Sequence, residues 1–568
     1  MRFHLFCFFL LCLFSFQVLD MDAIGALTWS KYVGGNGDEE GRAVAFDKEK
    51  NVYITGWTSS SQDFATQGAY QSIFGGFYDA FLAKYSPEGT LIWCTYFGGS
   101  ENENSYGIAI DGSDNIYICG STPSQDGISS TNAYQKNLNG FTDAFLAKFS
   151  PDGKRLWSTY FGGPEDEEAL GITIDAHSHI YITGYTSSQS GIATPGSYQP
   201  VYSGERNKAF LAKFDSSGSI IWATYFGGPK NDYTFAVATD INENVIIVGT
   251  ASSTTGIATK GAFRSVVGAY YDGFVAKFSA SGNLTWATYF GNNGDDECTA
   301  VCTDDSGNIY ITGNTSSDSG IATAGAFQSQ YHGGGHGYDV FLAKISGSGA
   351  LLWATYYGGT GDDFAWGMDI DKNRNVSIAG YTYSTDYITT TDAYQKNQKG
   401  EGDAYIATFD PYGKLKYGTY LGGDSMDYGY GIKADEAGNI MLAGTTSSKT
   451  GISQNGNLSG SSDAFLAIFS DLSSGVEPSP SSQYSIMVSP NPFSGKIDIR
   501  FSLNMPGRVV IDLCSATGMH IADLSNEIHL SGYNLFEYDC TPLKLAPGCY
   551  YLLVRTGNTV LCNKLIKI

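Results

Sequence analysis

A chain of 568 residues with 57 acidic and 33 basic side chains carries a net charge of -24, so nucleic acid is excluded as a partner and cationic partners are favoured. Its 71 glycines, 39 tyrosines and 33 phenylalanines beside only 15 prolines exclude a disordered or collagen-like chain. They fit many short strands joined by tight turns.

Residues 1–19 join Arg2 to an apolar run too short to span a bilayer comfortably, the pattern of a secretory signal peptide. Neither Cys7 nor Cys12 follows a small residue, so a lipoprotein cleavage site is not expected. No later stretch is long and apolar enough for a membrane helix, so no transmembrane segment is expected.

From residue 26 to 470 the chain repeats one unit, typified by Asp143 to Gly163, DAFLAKFSPDGKRLWSTYFGG. Trp29, Trp93, Trp157, Trp222, Trp286 and Trp353, with Tyr417 in the seventh slot, recur about every 64 residues. Each unit carries four strand signals, which in the third copy are GITID, HIYITG, KAFLAKF and IIWATYF. An Asp-led turn such as DDSGN from Asp304 joins the first two, and a Gly-bearing loop such as SPDG joins the last two. Val44, Ile108, Ile172, Val237, Val301, Met368 and Ile432 alternate with mostly small neighbours, as expected of inner strands packed on both faces. The first copy holds only the tryptophan strand and the last ends on DAFLAIFS, so pairing the two ends would complete a seventh sheet and seal the ring.

These motifs resemble the SBBP family of β-propeller repeats. The carriers are GSYQ (196–199), DAFLAKFS (143–150), WATYFGG (222–228) and DDSGNIYITGNTSS (304–317). The expected fold is all-β: a seven-bladed propeller of four-stranded antiparallel blades closed by its N- and C-terminal strands. Tyr417 for Trp, Lys208 for Asp, and NLSG (457–460) in the seventh copy read as drift in single blades.

Residues 471–483 form a Ser/Pro-rich linker, and residues 484–568 carry about seven further strand signals, expected to form a small Ig-like β-sandwich. This segment resembles the C-terminal sorting domain of the type IX secretion system of Bacteroidetes, through Pro490, Asn491, Pro492, Gly518, Gly548, Tyr550 and Lys564. The resemblance implies the type IX machinery as a partner, removal of the domain, and a secreted or outer-membrane surface location. Cys514, Cys540, Cys549 and Cys562 allow three disulfide pairings, while Cys94, Cys119, Cys298 and Cys302 read as buried free thiols.

Strand order places the long second-to-third loops and the outer-to-inner crossovers on one face, and the tight turns on the other. Crossover carboxylates, including Asp295, Asp296, Asp362 and Asp363, are candidate Ca²⁺ ligands, against a reading as surface charges or turn caps. Tyr106, Phe235, Trp366 and Tyr430 are candidate stacking residues for sugars, against a favoured reading as packing between blades. His332, His336 and Asp339 form a weaker metal candidate, and His177 and His179 fall at a tight turn. Lys84, Lys148, Lys213, Lys277 and Lys344 recur too regularly for catalysis and are expected to pair with Asp on the tight-turn face. No nucleophile elbow, phosphate loop or zinc-protease motif occurs. The expected function is a non-enzymatic binding or adhesion platform for an extracellular glycan or protein. The rivals are a polysaccharide hydrolase or lyase using crossover carboxylates, and a structural surface component.

Overall fold

The computed structural model describes residues 27–204, 206–333, 337–453, 456–470, 486–489, 493–503, 507–515, 520–529, 532–556 and 559–567. The expected signal peptide, the Ser/Pro linker, Pro490, Asn491, Pro492, Gly518 and His336 lie outside them. The chain divides into two compact units, residues 1–475 and 476–568.

The first unit holds seven four-stranded antiparallel sheets. In the first sheet the strands run Glu39–Phe46, Val52–Thr58, Asp79–Tyr85 and Leu91–Phe97, each hydrogen-bonded to the next in sequence. The seventh sheet takes Asp427–Ala434, Ile440–Thr446 and Asp463–Phe469 from one end of the repeat region and Leu27–Val33 from the other. Trp29 stands opposite Ile468 and Tyr32 opposite Phe465 in that pairing. The first strand of every sheet contacts the first strand of the next, and the seventh, Asp427–Ala434, contacts the first, Glu39–Phe46.

The Asp-led turn forms as its chemistry dictates. Asp111 Oδ1 accepts from the backbone N–H of Ser113 and Asn115, at 2.8 and 3.0 Å, while Asp114 takes a positive φ of 60°, as Gly307 does at 76° in the fifth copy. The tryptophans bind neighbouring sheets together. Trp93 Nε1 donates to Pro151 O at 3.2 Å, Trp157 Nε1 to Ser216 O at 3.1 Å, and Trp353 Nε1 to Pro411 O at 3.2 Å, each acceptor lying in the third-to-fourth turn of the next sheet. A Cβ on Gly153 of that turn would lie 2.9 Å from the indole of Trp93, so a glycine there lets turn and ring meet.

Tyr417 is therefore not drift. In the seventh sheet the third and fourth strands come from opposite ends of the repeat region, so no turn joins them and an indole in the sixth sheet has no such carbonyl to reach. Tyr417 is buried instead, its hydroxyl accepting from Tyr394 N at 3.0 Å.

The second unit has a three-stranded sheet, Ile486–Ser489, Lys496–Leu503 and Gly532–Asp539. Its four-stranded sheet contains His520–His529, Gly507–Ser515, Gly548–Thr556 and Thr559–Lys567. Ile497 and Ile499 from one sheet and Val509, Ile511, Leu513 and Leu552 from the other share one buried cluster. Gly548 opens a strand, the Tyr550 hydroxyl donates to Ala546 O at 2.8 Å, and Lys564 stands opposite Tyr551. No helix among the described residues is long and apolar enough to cross a membrane.

Candidate functional site

The crossover carboxylates resolve into a repeated buried device. Glu39, Glu103, Glu167, Asp232, Asp296, Asp363 and Asp427, one per sheet, are each fully buried. Glu167 accepts from Thr186 Oγ1 at 2.5 Å and from Gly163 N at 2.7 Å. Burial pushes its carboxyl up to about 7, with Thr186, Ser188 and Gly163 pulling the other way. A second buried carboxylate, Asp143 of the preceding sheet, accepts from Asn139 N and Gly140 N at 3.0 and 3.1 Å and is pushed up to about 6 by burial. Gly162 passes between the two, where a Cβ would come within 2.5 Å of both. The Tyr-Phe-Gly-Gly signature thus threads the backbone past an acid pair.

The fourth sheet departs in a matched way. Lys208 stands where its sisters carry Asp, and its Nζ lies 3.7 Å from Asp232 Oδ2 with both side chains fully buried. Burial holds the Lys208 ammonium low while Asp232 opposes it. An acid pair has become an ion pair.

The carboxylates named as candidate calcium ligands hold donors of their own. Asp296 Oδ2 accepts from Asn292 N at 2.9 Å and Ser317 Oγ at 2.8 Å, and Asp363 Oδ2 accepts from Gly359 N at 2.8 Å and Ser384 Oγ at 2.7 Å. Burial pushes both carboxyls up to about 7. Asp362 Oδ1 caps Gly337 N at 3.0 Å, and the Asp295 backbone donates to Ser316 Oγ at 2.7 Å. The four do not converge. Among the described residues, the one group of three or more metal-competent side chains with ligand atoms within 4.8 Å is Asp512, His520 and Asp523, in the second unit. His332 meets Asp339 through its backbone N–H at 2.8 Å, not its imidazole. The repeated lysines do pair as expected: Lys84, Lys148, Lys213, Lys277 and Lys344 lie 3.2, 3.6, 3.7, 2.8 and 3.4 Å from Asp47, Asp111, Asp175, Asp240 and Asp304. His179 Nδ1 lies 2.8 Å from the same Asp175. Cys94, Cys119, Cys298 and Cys302 are buried free thiols.

The stacking candidates do converge. All seven innermost strands carry a β-bulge at one register, and the bulged residues are Arg42, Tyr106, Leu170, Phe235, Thr299, Trp366 and Tyr430. All seven line a single cavity of about 210 Å³. The bulge adds a residue and so shifts the in-out alternation, bringing these residues to the cavity wall, while Thr299 Oγ1 still donates to Ala365 O of the next sheet at 2.8 Å. A sequence signal existed: each bulged residue stands between two small ones, as in Gly41-Arg42-Ala43 and Ala365-Trp366-Gly367. Close approach demands it, since a Cβ on Gly431 would lie 2.8 Å from Ala43 Cα.

The seven bulges break the symmetry of the repeats. The Arg42 guanidinium lies 4.4 Å from the Tyr430 ring centroid and 5.8 Å from that of Tyr106, and it is ion-paired with Glu40. Burial pushes Glu40, Glu168 and Glu297 up; Arg42 opposes it at Glu40, the Tyr185 and Tyr106 hydroxyls at Glu168, and Asn314 at Glu297. Around part of the mouth runs an aromatic arc. Tyr271 and Tyr338 hydroxyls are 3.3 Å apart, and ring centroids are separated by 5.6 Å for Tyr338–Phe364 and 4.8 Å for both Phe364–Tyr381 and Tyr381–Tyr428. Tyr428 stacks on Tyr430 at 6.0 Å. Farther out, in the long loops, Phe77, Phe141 and Tyr270 are 71%, 74% and 85% exposed.

Four segments match the SBBP beta-propeller repeat: residues 28–65, 92–127, 156–191 and 285–320. The SBBP repeat unit so defined runs from the tryptophan strand through the Gly-Gly crossover and the first two strands into the long loop. An uncharacterized WD repeat-containing protein of Acanthamoeba polyphaga mimivirus is 22% identical over 74% of this chain and 36% of its own length. The regulatory protein FlaEY of Caulobacter vibrioides is 23% identical over 63% of this chain and 37% of its own. The chain therefore spans less than two-fifths of either relative. Among solved structures, puromycin hydrolase overlaps at a TM-score of 0.37 with 9% identity, over 84% of this chain and 61% of that one. Pseudomonas brassicacearum lignostilbene dioxygenase overlaps at 0.34 with 9% identity, over 74% and 89%. Overlap at that level carries no functional argument.

Proposed function

We propose that this SBBP-repeat protein is a secreted or cell-surface binding platform, not an enzyme, that engages an extracellular glycan or protein through its long-loop face. The observation that carries the reading is the concentration of aromatic side chains on that face: the arc from Tyr271 to Tyr430 and the exposed Phe77, Phe141 and Tyr270. In this reading the seven sheets close into a seven-bladed ring. Its support is the pairing of Leu27–Val33 with Asp463–Phe469 and the contact between the seventh and first inner strands. The second unit is read as an Ig-like type IX sorting domain, on the strength of its sequence motif and its two sheets with a common core.

Hydrolysis by the crossover carboxylates is the weaker reading, because Asp296 and Asp363 are fully buried and already hydrogen-bonded. Glu40, Glu168 and Glu297, whose carboxyls burial pushes up, are the candidates for a general acid in that reading. Arrays of glycans and extracellular proteins, probed with the chain with and without chelator, test the platform reading. Binding should fall at least tenfold when Phe77, Phe141 and Tyr270 are all replaced by Ser. Turnover of an arrayed glycan, or binding indifferent to every long-loop substitution, would overturn it. Export is tested separately by deleting residues 484–568 and following the chain in cell fractions.

A further inference from the structure

Resting on the platform reading, we propose that the cavity at the centre of the seven inner strands is a subsite for one uncharged sugar ring, the end of a glycan whose remainder follows the aromatic arc. Size sets the first limit. About 210 Å³ is below the range for drug-sized ligands and holds about seven waters by their share of liquid volume, which suits a single pyranose and excludes a longer chain buried whole.

Charge sets the second. An anion would find one cation, Arg42, already paired with Glu40 and close enough to Glu168 to act on its carboxyl. A cation would have to displace that guanidinium from the faces of Tyr430 and Tyr106. A neutral ligand avoids both costs.

Hydrogen bonding sets the third. Arg42 Nε and Trp366 Nε1, donors of two residues that line the cavity, are buried in its wall and have no acceptor. A buried donor left unsatisfied is expensive, and at a binding site it marks where an acceptor belongs. A small rotation of either side chain toward the cavity would let a sugar hydroxyl accept from its N–H. The rings of Phe235 and Trp366, which the Arg42 guanidinium does not cover, can meet the apolar C–H face of a pyranose. A purely apolar ligand would leave both donors unpaired.

The test is calorimetry and saturation-transfer NMR on the full chain. The probes are glucose, galactose, mannose and N-acetylglucosamine, each free and as the terminal residue of a trisaccharide, alongside glucuronate, galacturonate and choline. At least one neutral sugar should bind, and its trisaccharide at least tenfold more tightly. Trp366→Phe, which keeps an aromatic ring and removes the donor, should weaken binding about fivefold. Leu170→Trp, which removes none of the proposed contacts and fills the space, should abolish binding of the free sugar, with the circular dichroism spectrum of both variants unchanged. Sugar binding that survives Leu170→Trp, or tighter binding of the uronates or choline, would overturn the subsite while leaving a platform elsewhere on the face. The subsite is equally overturned if no sugar binds but a protein partner does on the arrays. Failure of every probe and every array removes the platform reading as well.

Discussion

At the scale of single residues, the repeat signature is written by buried acids more than by hydrophobic size. Gly162 is fixed because a side chain would collide with Asp143 and Glu167 together. Gly162→Ala should therefore cost about 1–3 kcal/mol, the usual range for overpacking, read as a fall in the denaturant midpoint at constant slope. Lys208 offers the complementary case. Removing the ammonium in Lys208→Ala strands a fully buried carboxylate, and loss of one partner of such a pair costs about 3–5 kcal/mol. Glu39→Gln, which removes charge while keeping an acceptor for Ser60 and Thr58, should be milder by comparison in the same denaturant titration.

At the scale of the element, the innermost strand of each sheet is bulged and that bulge carries the site. Alternation read from Tyr106, Ile108 and Ile110 as an unbroken strand gives all three one facing; the bulge between Ser105 and Gly107 separates the first from the others. The stacking candidates were thus legible as residue types, while their direction was not. The outer strand carries a bulge of its own, at Leu156 in the second sheet, and is held by its indole. Trp157→Phe preserves the ring and deletes the bond to Ser216 O, with an expected loss of about 0.5–1.5 kcal/mol by chemical denaturation. Tyr417→Phe at the slot without a turn loses the contact with Tyr394 N and should cost a comparable amount.

At the scale of the whole molecule, stability should peak in mild acid. Burial pushes Glu103, Glu167, Asp296, Asp363 and Asp403 up to about 7, and Asp79, Asp143, Asp339 and Asp427 up to about 6. Unfolded carboxyls titrate near 4, so the native state holds these protons more tightly. Their contribution is complete below about pH 4 and disappears as pH rises through 6 to 7. Asp47, Asp111 and Asp304 behave oppositely. Burial pushes each up, but hydrogen bonds led by Asn51, Asn115 and Asn308 hold them below the usual range, so their contribution is lost as pH falls beneath about 4. Calorimetric Tm should therefore be highest between about pH 4 and 5; a Tm still climbing from pH 5 to 8 would contradict the assignment. A second whole-molecule test removes the strand Leu27–Val33. A chain starting at Gly34 exposes the edge of Asp463–Phe469, and size-exclusion chromatography should show association that a chain starting at Met21 lacks.

By itself the sequence determined the repeat length, the four strands per unit, the turn chemistry and the lysine–aspartate pairs, because each depends on residues close in sequence or on a pattern repeated seven times. It also located the acids and aromatics that a site could use. Tertiary structure decided what each one does: the crossover acids are folded inward onto backbone and hydroxyl donors, and the bulged aromatics turn toward a common cavity. Burial and facing belong to the packing of one sheet against the next, separated by about 64 residues. A shift of one residue in a strand reverses the facing without altering the composition from which it was read.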